Sequence, residues 1–197
     1  MSRHERGFSL LEIITIVAII GVVALIAVPA FATYRRHAAV IEAASEFRAI
    51  FRLVRSRAIT RHASSAVKFV QVGNDWTYSL HDDGDGDGVR NDDIDSGVDP
   101  HYAPPRLILP ESHLATVSLP PNLSIKDPDG DPLTSSSRAV QFGRSTLCSF
   151  SPVGESTSGT IYLTDGFGEL WCVRVYGATG KVRLLRYNAG GRRWDRR

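Results

Sequence analysis

Residues 7–32 read GFSLLEIITIVAIIGVVALIAVPAFA, an apolar stretch in which Glu12 is the single charged residue. At about 1.5 Å of helix rise per residue, such a run reaches roughly 30 Å, the thickness of the hydrocarbon core of a bilayer. The segment before it, MSRHERG, is short and polar and carries Arg3 and Arg6. Because basic flanks stay in the cytoplasm, the sequence predicts one membrane-spanning helix with the rest of the chain on the far side.

Glu12 is the unusual residue of this span, because an ionised carboxylate inside a bilayer is costly and by default has a functional partner. The polar leader ends in Gly7 before the apolar run, whereas a conventional secretory signal has its cleavage site after a shorter apolar core. If the chain is cut after Gly7, the new amine of Phe8 lies four residues before Glu12 and shares a helix face with it. Glu12 could then pair with its own amine or with that of a neighbouring chain. The alternative is a plain anchor with an isolated glutamate.

The motif GFSLLE at residues 7–12 resembles the processing motif of type IV pilins and type II secretion pseudopilins. The resemblance implies that a prepilin peptidase cuts after Gly7 and N-methylates Phe8, and that Glu12 docks onto the amine of a neighbouring subunit. It also implies a single-pass protein of the bacterial inner membrane with a cytoplasmic N-terminus and a periplasmic C-terminal domain. Its expected partners are other pilins or pseudopilins, membrane lipid and an assembly platform.

The helical pattern continues beyond the span. Apolar residues recur at spacings of three and four, which is typical of a helix that buries one face against a sheet. This stripe consists of Val40, Ala44, Phe47, Phe51, Val54 and Ala58. The other faces carry Arg48, Arg52, Arg55, Arg57 and Arg61. A solvated helix face and a binding face for acidic partners both explain such a run of charge.

From residue 64 the apolar period changes to that of strands. AVKFVQV and WTYSLH flank the turn residues 73–75, and further strand-like segments follow up to KVRLLRY at residues 181–187. The predicted fold is therefore α+β, with a long N-terminal helix packed on antiparallel sheet. We expect a leader at 1–7, a transmembrane helix at 8–32, an amphipathic helix at 33–63, a β-rich domain at 64–190 and a basic tail at 191–197.

Two further regions resemble the FimT and pseudopilin H (GspH) family. They are FRLVRSRAITRHASSAVKF at residues 51–69 and the C-terminal segments VQFGRS, GTIYLTD and VRVYGATGKVRLLRY. The resemblance implies a pilin-like fold and a minor structural subunit of a type II secretion pseudopilus or a type IV pilus. The chain departs from the family pattern at Arg57, where an acidic residue is common, at Lys181 in place of arginine, and in a long Asp-rich loop.

Acidic residues concentrate in residues 82–99, which carry eight aspartates. Residues 83–94 fit much of a calcium loop, in which oxygen ligands recur at alternate positions and glycine allows a sharp turn. Position 12 is Ile94 instead of an acid, although either neighbouring aspartate could substitute for it. The segment is either a calcium site or a solvated Asp/Gly hairpin loop, and calcium is the single cofactor that the sequence suggests. The candidate ligands are Asp83, Asp85, Asp87, Val89, Asn91, Asp93 and Asp95.

Basic residues concentrate at the C-terminus, with Tyr187 and Trp194 among them. They either keep the end strand from pairing with other sheets or form an anion site, in which cations neutralise phosphates and aromatic rings stack on bases. Some FimT-like minor pilins bind DNA through such a region, so DNA binding is the alternative function. The candidate residues are Lys181, Arg183, Arg186, Arg192, Arg193, Arg196 and Arg197.

Cys148 and Cys172 could form one disulfide in an exported domain, or they could be two core thiols. The six histidines show no metal-ligand spacing, and no Gly-x-Ser-x-Gly motif occurs. The sequence therefore predicts that the chain is not an enzyme, in line with the structural role that the resemblance implies.

Overall fold

A computed structural model describes residues 9–108 and 114–196. The chain divides into two compact units, residues 1–36 and residues 37–197. The described elements, in chain order, are α1 (Leu10–Arg61), β1 (Ser65–Val72), β2 (Asp75–Asp82), α2 (Asn91–Ser96), β3 (His101–Leu107), β4 (Ser124–Lys126), β5 (Pro132–Thr134), β6 (Val140–Phe142), β7 (Leu147–Phe150), β8 (Gly159–Thr164), β9 (Leu170–Tyr176), a 3₁₀ turn (Gly177–Thr179), β10 (Lys181–Asn188) and β11 (Arg193–Arg196).

In the first unit, the described chain is helical from Leu10 onward and its large apolar side chains are exposed. The hydroxyl of Thr15 donates to the carbonyl of Leu11 at 2.8 Å, and that of Thr33 donates to the carbonyl of Pro29 at 3.1 Å. These polar groups are therefore satisfied within the helix, which suits an apolar surround. Within the part of the chain that the structure describes, α1 is the one helix long and apolar enough to cross a membrane.

The second unit packs the C-terminal part of α1 against two antiparallel sheets. One sheet has the strand order β3-β2-β1-β7, and the other has the order β11-β10-β9-β8-β6. β4 and β5 form a separate two-stranded hairpin. The α+β architecture that the sequence predicts, a long N-terminal helix on antiparallel sheet, is confirmed.

The core of the second unit is built around the predicted apolar stripe of α1, and all six of its residues are buried. Phe51 is fully buried, with its ring 5.6 Å from that of Phe142, 6.1 Å from that of Phe69 and 6.2 Å from that of Phe150. Tilted and edge-on ring contacts at these separations add to the stabilisation that burial itself provides. Both sheets contribute rings to this cluster, so Phe51 joins the helix to each of them.

A second apolar cluster covers the other face of the larger sheet, where Tyr162, Cys172 and Leu185 pack beneath the β4–β5 hairpin. Every residue of β8 is consequently buried. Gly159 begins this strand where a Cβ atom would lie 2.3 Å from the carbonyl oxygen of Gln141, so no larger residue fits the present backbone.

The C-terminal segment is more ordered than a tail. Residues 193–196, which the sequence assigned to a basic tail, form β11 and pair with β10. Trp194 fixes this strand because its ring packs 5.3 Å from that of Tyr187 and 6.0 Å from that of Tyr162. Its indole Nε1 also donates to the carbonyl of Lys126 at 2.9 Å.

The two cysteines are free, buried thiols, and the expected disulfide between them is not formed. Cys148 lies on β7 in the main core, whereas Cys172 lies on β9 in the second cluster. Side chains alternate between the two faces of a strand, so Cys172 faces away from the core that holds its neighbour Val173. Burial raises the pKa of both thiols and leaves them as core side chains.

Candidate functional sites on the helix and the soluble unit

Glu12 lies in the first turn of α1, where its backbone N–H donates to the carbonyl of Ser9 at 3.0 Å. The apolar side chains around the helix are solvent-exposed, for example 76% for Leu11 and 60% for Ile14. The predicted processing residues Gly7 and Phe8 lie outside the described residues. Glu12 is therefore a carboxylate on a helix whose surrounding side chains are apolar and exposed.

The acidic loop brings three carboxylates together: Asp83, Asp85 and Asp87 each have an oxygen within 4.8 Å of the others. Asp83 accepts hydrogen bonds from the backbone N–H groups of Gly86 at 2.7 Å and Gly88 at 3.0 Å. Within residues 9–108 and 114–196, this is the one group of three or more His, Cys, Asp or Glu side chains with a geometry that could hold a metal ion. Hard oxygen ligands of this kind suit calcium.

The remaining predicted calcium ligands have other positions. Asp93 and Asp95 lie on α2 and are not part of the carboxylate group. The side-chain oxygen of Asn91 accepts a hydrogen bond from Lys68, and Val89 is buried against β1 and β7. Calcium binding by the loop stays a prediction.

The loop is closed by Asp99, which is buried and was not singled out by the sequence motif. Its carboxylate accepts from the backbone N–H of Gly84 at 3.0 Å and from that of Arg90 at 2.9 Å. These bonds hold both ends of the loop to one point, so the surface aspartates project from a defined turn. Four of them are exposed and form what we term the acidic surface: Asp85, Asp87, Asp92 and Asp95.

The arginines of α1 divide between two roles. Arg57 donates two hydrogen bonds to the carboxylate of Asp82, at 2.8 and 2.6 Å, and lies 3.8 Å above the ring of Tyr102. Arg61 lies 3.7 Å from the same carboxylate. Burial alone would raise the pKa of Asp82, but the hydrogen bonds from Arg57 and Ser65 and the nearby arginine charges outweigh it and lower the pKa. This pair anchors α1 to β2.

Arg48, Arg52 and Arg55 lie on the side of α1 that borders β10. Together with residues of β10 and β11 they line an open groove of about 650 Å³. Arg55 is held there by a 3.2 Å hydrogen bond from its Nε to the carbonyl of Gly154. The cationic residues of the groove, which we term the basic groove, are Arg48, Arg52, Arg55, Lys181, Arg183 and Arg196.

Of the other predicted DNA-binding residues, those that the structure describes do not line this groove. Arg186 donates to both carboxylate oxygens of Glu169, at 3.0 and 2.5 Å, and Arg193 pairs with Asp195 at 2.9 Å. Arg192 is exposed, and Arg197 lies outside the described residues. Three of the seven predicted residues, Lys181, Arg183 and Arg196, thus line the basic groove. The arginines of α1 that line it with them were not part of the predicted C-terminal DNA-binding set.

Glu169 is a further site that sequence reasoning missed. Besides Arg186, it accepts a hydrogen bond from Trp171 Nε1 at 3.1 Å and lies 3.2 Å from Nδ1 of His37. Burial would raise its pKa, but these hydrogen bonds and the charge of Arg186 outweigh it and lower the pKa. The cluster joins His37 of α1 to β9 and β10, and no local motif connects positions so far apart in the chain.

Comparisons with known proteins identify a family for the chain. The family described as Type II transport protein GspH matches residues 43–180, and the Prokaryotic N-terminal methylation motif matches residues 2–28. No curated protein and no solved structure matches the chain. The first family match covers most of the second unit, from residue 43 of α1 through β9, and leaves out β10 and β11. The second match covers most of the apolar run. With a prepilin-type N-terminus ahead of a pilin-like α+β domain, the chain belongs to the GspH family of type IV pilin-like proteins.

Proposed function

We propose that the chain is a minor structural subunit of a type II secretion pseudopilus or a related type IV pilus. The observation that carries this is the combination, on the single helix α1, of an exposed apolar surface before residue 36 and a buried stripe after it. A prepilin peptidase cuts at Gly7–Phe8, and the apolar part of α1 then leaves lipid for a bundle of equivalent helices. The second unit is carried on the fibre surface, and the role is structural, not catalytic.

The proposed topology follows from the charges that flank the span. Arg3 and Arg6 precede it and stay in the cytoplasm, so the second unit lies in the periplasm. The carboxylate of Glu12 is stabilised in the fibre by the N-terminal amine of a neighbouring subunit, because an unpaired charge there is costly. Other pilin-like subunits, the peptidase and an assembly platform are the partners of this cycle.

Processing at Gly7–Phe8 is tested by intact-mass measurement of chain extracted from membranes that contain an active prepilin peptidase. We expect the mass of residues 8–197 plus one methyl group. Gly7→Val should keep the full-length mass, because the bulkier side chain blocks cleavage. Gly21→Ala is the matched control: apart from its chain neighbours and the adjacent helix backbone, nothing lies within 4 Å of a Cβ added at this glycine of the same apolar run, so processing should be normal. A wild-type chain that still begins at Met1 would contradict the proposal.

DNA binding is the second candidate function, and the basic groove is the observation that favours it. Phosphates could be neutralised there by Lys181, Arg183 and the helix arginines. The aromatic residues expected to stack on bases are less suited to that role, because the rings of Tyr187 and Trp194 pack on each other and on the second apolar cluster.

An electrophoretic shift assay of the full-length chain in detergent, at low and moderate salt, tests this candidate. If DNA occupies the groove, the double variant Lys181→Ala/Arg183→Ala should weaken binding. It should also make the negative slope of log affinity against log salt shallower by about two. Arg144→Ala removes an exposed arginine outside the groove and should change neither quantity. Affinity that is independent of salt would exclude a phosphate-binding mechanism.

A further inference from the structure

The basic groove concentrates positive charge without internal compensation. Its lining holds six cationic side chains and no acidic residue. Within residues 9–108 and 114–196, none of the six takes part in an ion pair, whereas Arg57, Arg174 and Arg186 all do. Like charges gathered on one surface repel each other, and a negatively charged partner relieves that repulsion.

Part of the groove wall is held in place by contacts within the second unit. Arg55 is fixed by the carbonyl of Gly154, and Gly180 forms the adjacent turn with φ of 57°. A Cβ atom at Gly180 would lie 2.7 Å from Nε of Arg55 and 2.3 Å from the carbonyl oxygen of Gly154, so the groove wall depends on glycine here. The Nε of Arg183 is buried and has no hydrogen-bond partner among the described residues, so a donor there remains unsatisfied.

The complementary charge is on the other side of the same unit. Val89 and Ile94 of the acidic loop pack on Ala66 and Leu147 of the smaller sheet. Ala66 precedes Val67, which faces α1 in the main core, and successive side chains of a strand point to opposite faces. The acidic loop therefore covers the face of that sheet turned away from α1, while the basic groove lies between α1 and β10.

Because a sheet separates the two surfaces, they cannot meet within one copy. We propose that the basic groove of one copy binds the acidic surface of a second copy, in a lateral head-to-tail contact. Two different surfaces that complement each other make a heterologous contact, in which the two copies contribute different patches. This goes beyond the proposed function because it assigns a specific partner surface to the soluble unit.

A second copy fits the groove better than nucleic acid does. The chain carries a net charge of only +2, and the eight aspartates of residues 82–99 would repel a polyanion that approached the unit broadly. An acidic segment of protein needs to match only the groove itself. Electrostatic complementarity of this kind sets orientation and partner choice, and it weakens with added salt.

Cross-linking between two differently tagged full-length chains in detergent tests the contact. One copy carries Ser56→Cys at the groove, and the other carries Ser96→Cys at the end of α2 beside the acidic surface. With a short bismaleimide and equimolar copies, we expect mixed dimers in clear excess over the proportion that random pairing of the two chains gives. The native cysteines are buried, so wild-type chain supplies the background.

Charge reversal makes the test specific. Arg48→Glu/Arg52→Glu in the groove copy, or Asp92→Lys/Asp95→Lys in the other copy, should each lower the mixed-dimer yield about tenfold. Combining the two reversed copies should restore most of the yield, which also shows that both variants are folded. Arg144→Glu reverses a single charge outside the groove and should leave the yield unchanged.

Three results would overturn the inference: mixed dimers at the proportion that random pairing gives, charge reversal without effect on their yield, or loss of yield without restoration. Loss without restoration, together with loss of DNA binding in the Arg48→Glu/Arg52→Glu variant, would assign the groove to nucleic acid. The experiment requires neither processing nor fibre formation, so its failure would leave the proposed structural role standing.

Discussion

Replacing Glu12 with alanine is expected to remove the chain from fibres while leaving it in the membrane. The substitution eliminates a carboxylate from an apolar helix, and a charged residue in a span costs up to about 2.5–3.5 kcal/mol on insertion scales, the full value applying at the centre and not at the first turn where Glu12 lies. Insertion therefore becomes easier, whereas the proposed pairing with a neighbour's amine is lost. Quantitative immunoblots of sheared fibres and of membranes should show a drop of more than about tenfold in the fibre fraction alone, equivalent to at least 1.4 kcal/mol of pairing energy.

The matched control for this experiment is Glu42→Ala. Glu42 lies on the same helix, and it is exposed on the second unit instead of in the apolar run. Its loss should leave both fractions unchanged, which separates a general effect of lost charge on α1 from the pairing. Normal incorporation of the Glu12→Ala chain into fibres would exclude the amine pairing and reduce α1 to a plain anchor.

Phe51→Ala is expected to lower the free energy of unfolding of the second unit by about 3–5 kcal/mol. The ring is fully buried and contacts rings from both sheets, so its removal leaves a cavity that neither sheet can fill alone. Against a total stability of about 5–15 kcal/mol, this is a large fraction. Urea unfolding of the full-length chain in detergent, followed by tryptophan fluorescence, measures the change.

Leu53→Ala supplies the control for Phe51→Ala from the same helical turn. Leu53 is 58% exposed, so its truncation should change the free energy of unfolding by no more than about 0.5 kcal/mol. If Phe51→Ala costs less than about 1 kcal/mol, the neighbouring rings repack into the space, and Phe51 is not the residue that joins the helix to both sheets.

The apolar stripe of α1 was predictable because helical periodicity is a local property of the sequence. Six positions between Val40 and Ala58 follow it, and all six are buried. The N-terminal motif is equally local, since Gly7, Phe8 and Glu12 occur within one short segment. For the same reason the sequence identified the aspartates of residues 82–99, although it could not show that Asp99 closes the loop.

The basic groove could not be predicted in the same way, because it joins Arg48 on α1 to Lys181 on β10. The sequence displayed both runs of positive charge, but only the packing of helix on sheet places them side by side. The same limit explains Arg186, which appeared to belong with the C-terminal cations and instead pairs with Glu169. Partners distant in the chain are set by topology and not by spacing.

The pairing of the cysteines and the conformation of the C-terminal arginines both depend on how the strands are arranged, which composition alone does not determine. Cys148 and Cys172 are both on strands, yet they belong to different sheets and to different apolar clusters. The C-terminal arginines flank Trp194, which packs against the second apolar cluster. Residues 193–196, predicted to be part of a tail, therefore form β11 and pair with β10.

Because α1 is one continuous helix, the apolar N-terminal segment and the core of the second unit depend on the same secondary-structure element. Its buried residues between Ala39 and Ala58 form part of the core of the second unit, while its residues before position 36 form the exposed apolar surface. Truncating the helix from its N-terminal end beyond Ala39 would remove core side chains and would therefore lower the stability of the second unit. Substitutions along one helix should therefore follow two rules: at the exposed apolar positions near the start, other apolar side chains are tolerated, whereas at the buried positions near the end only side chains of matching volume are.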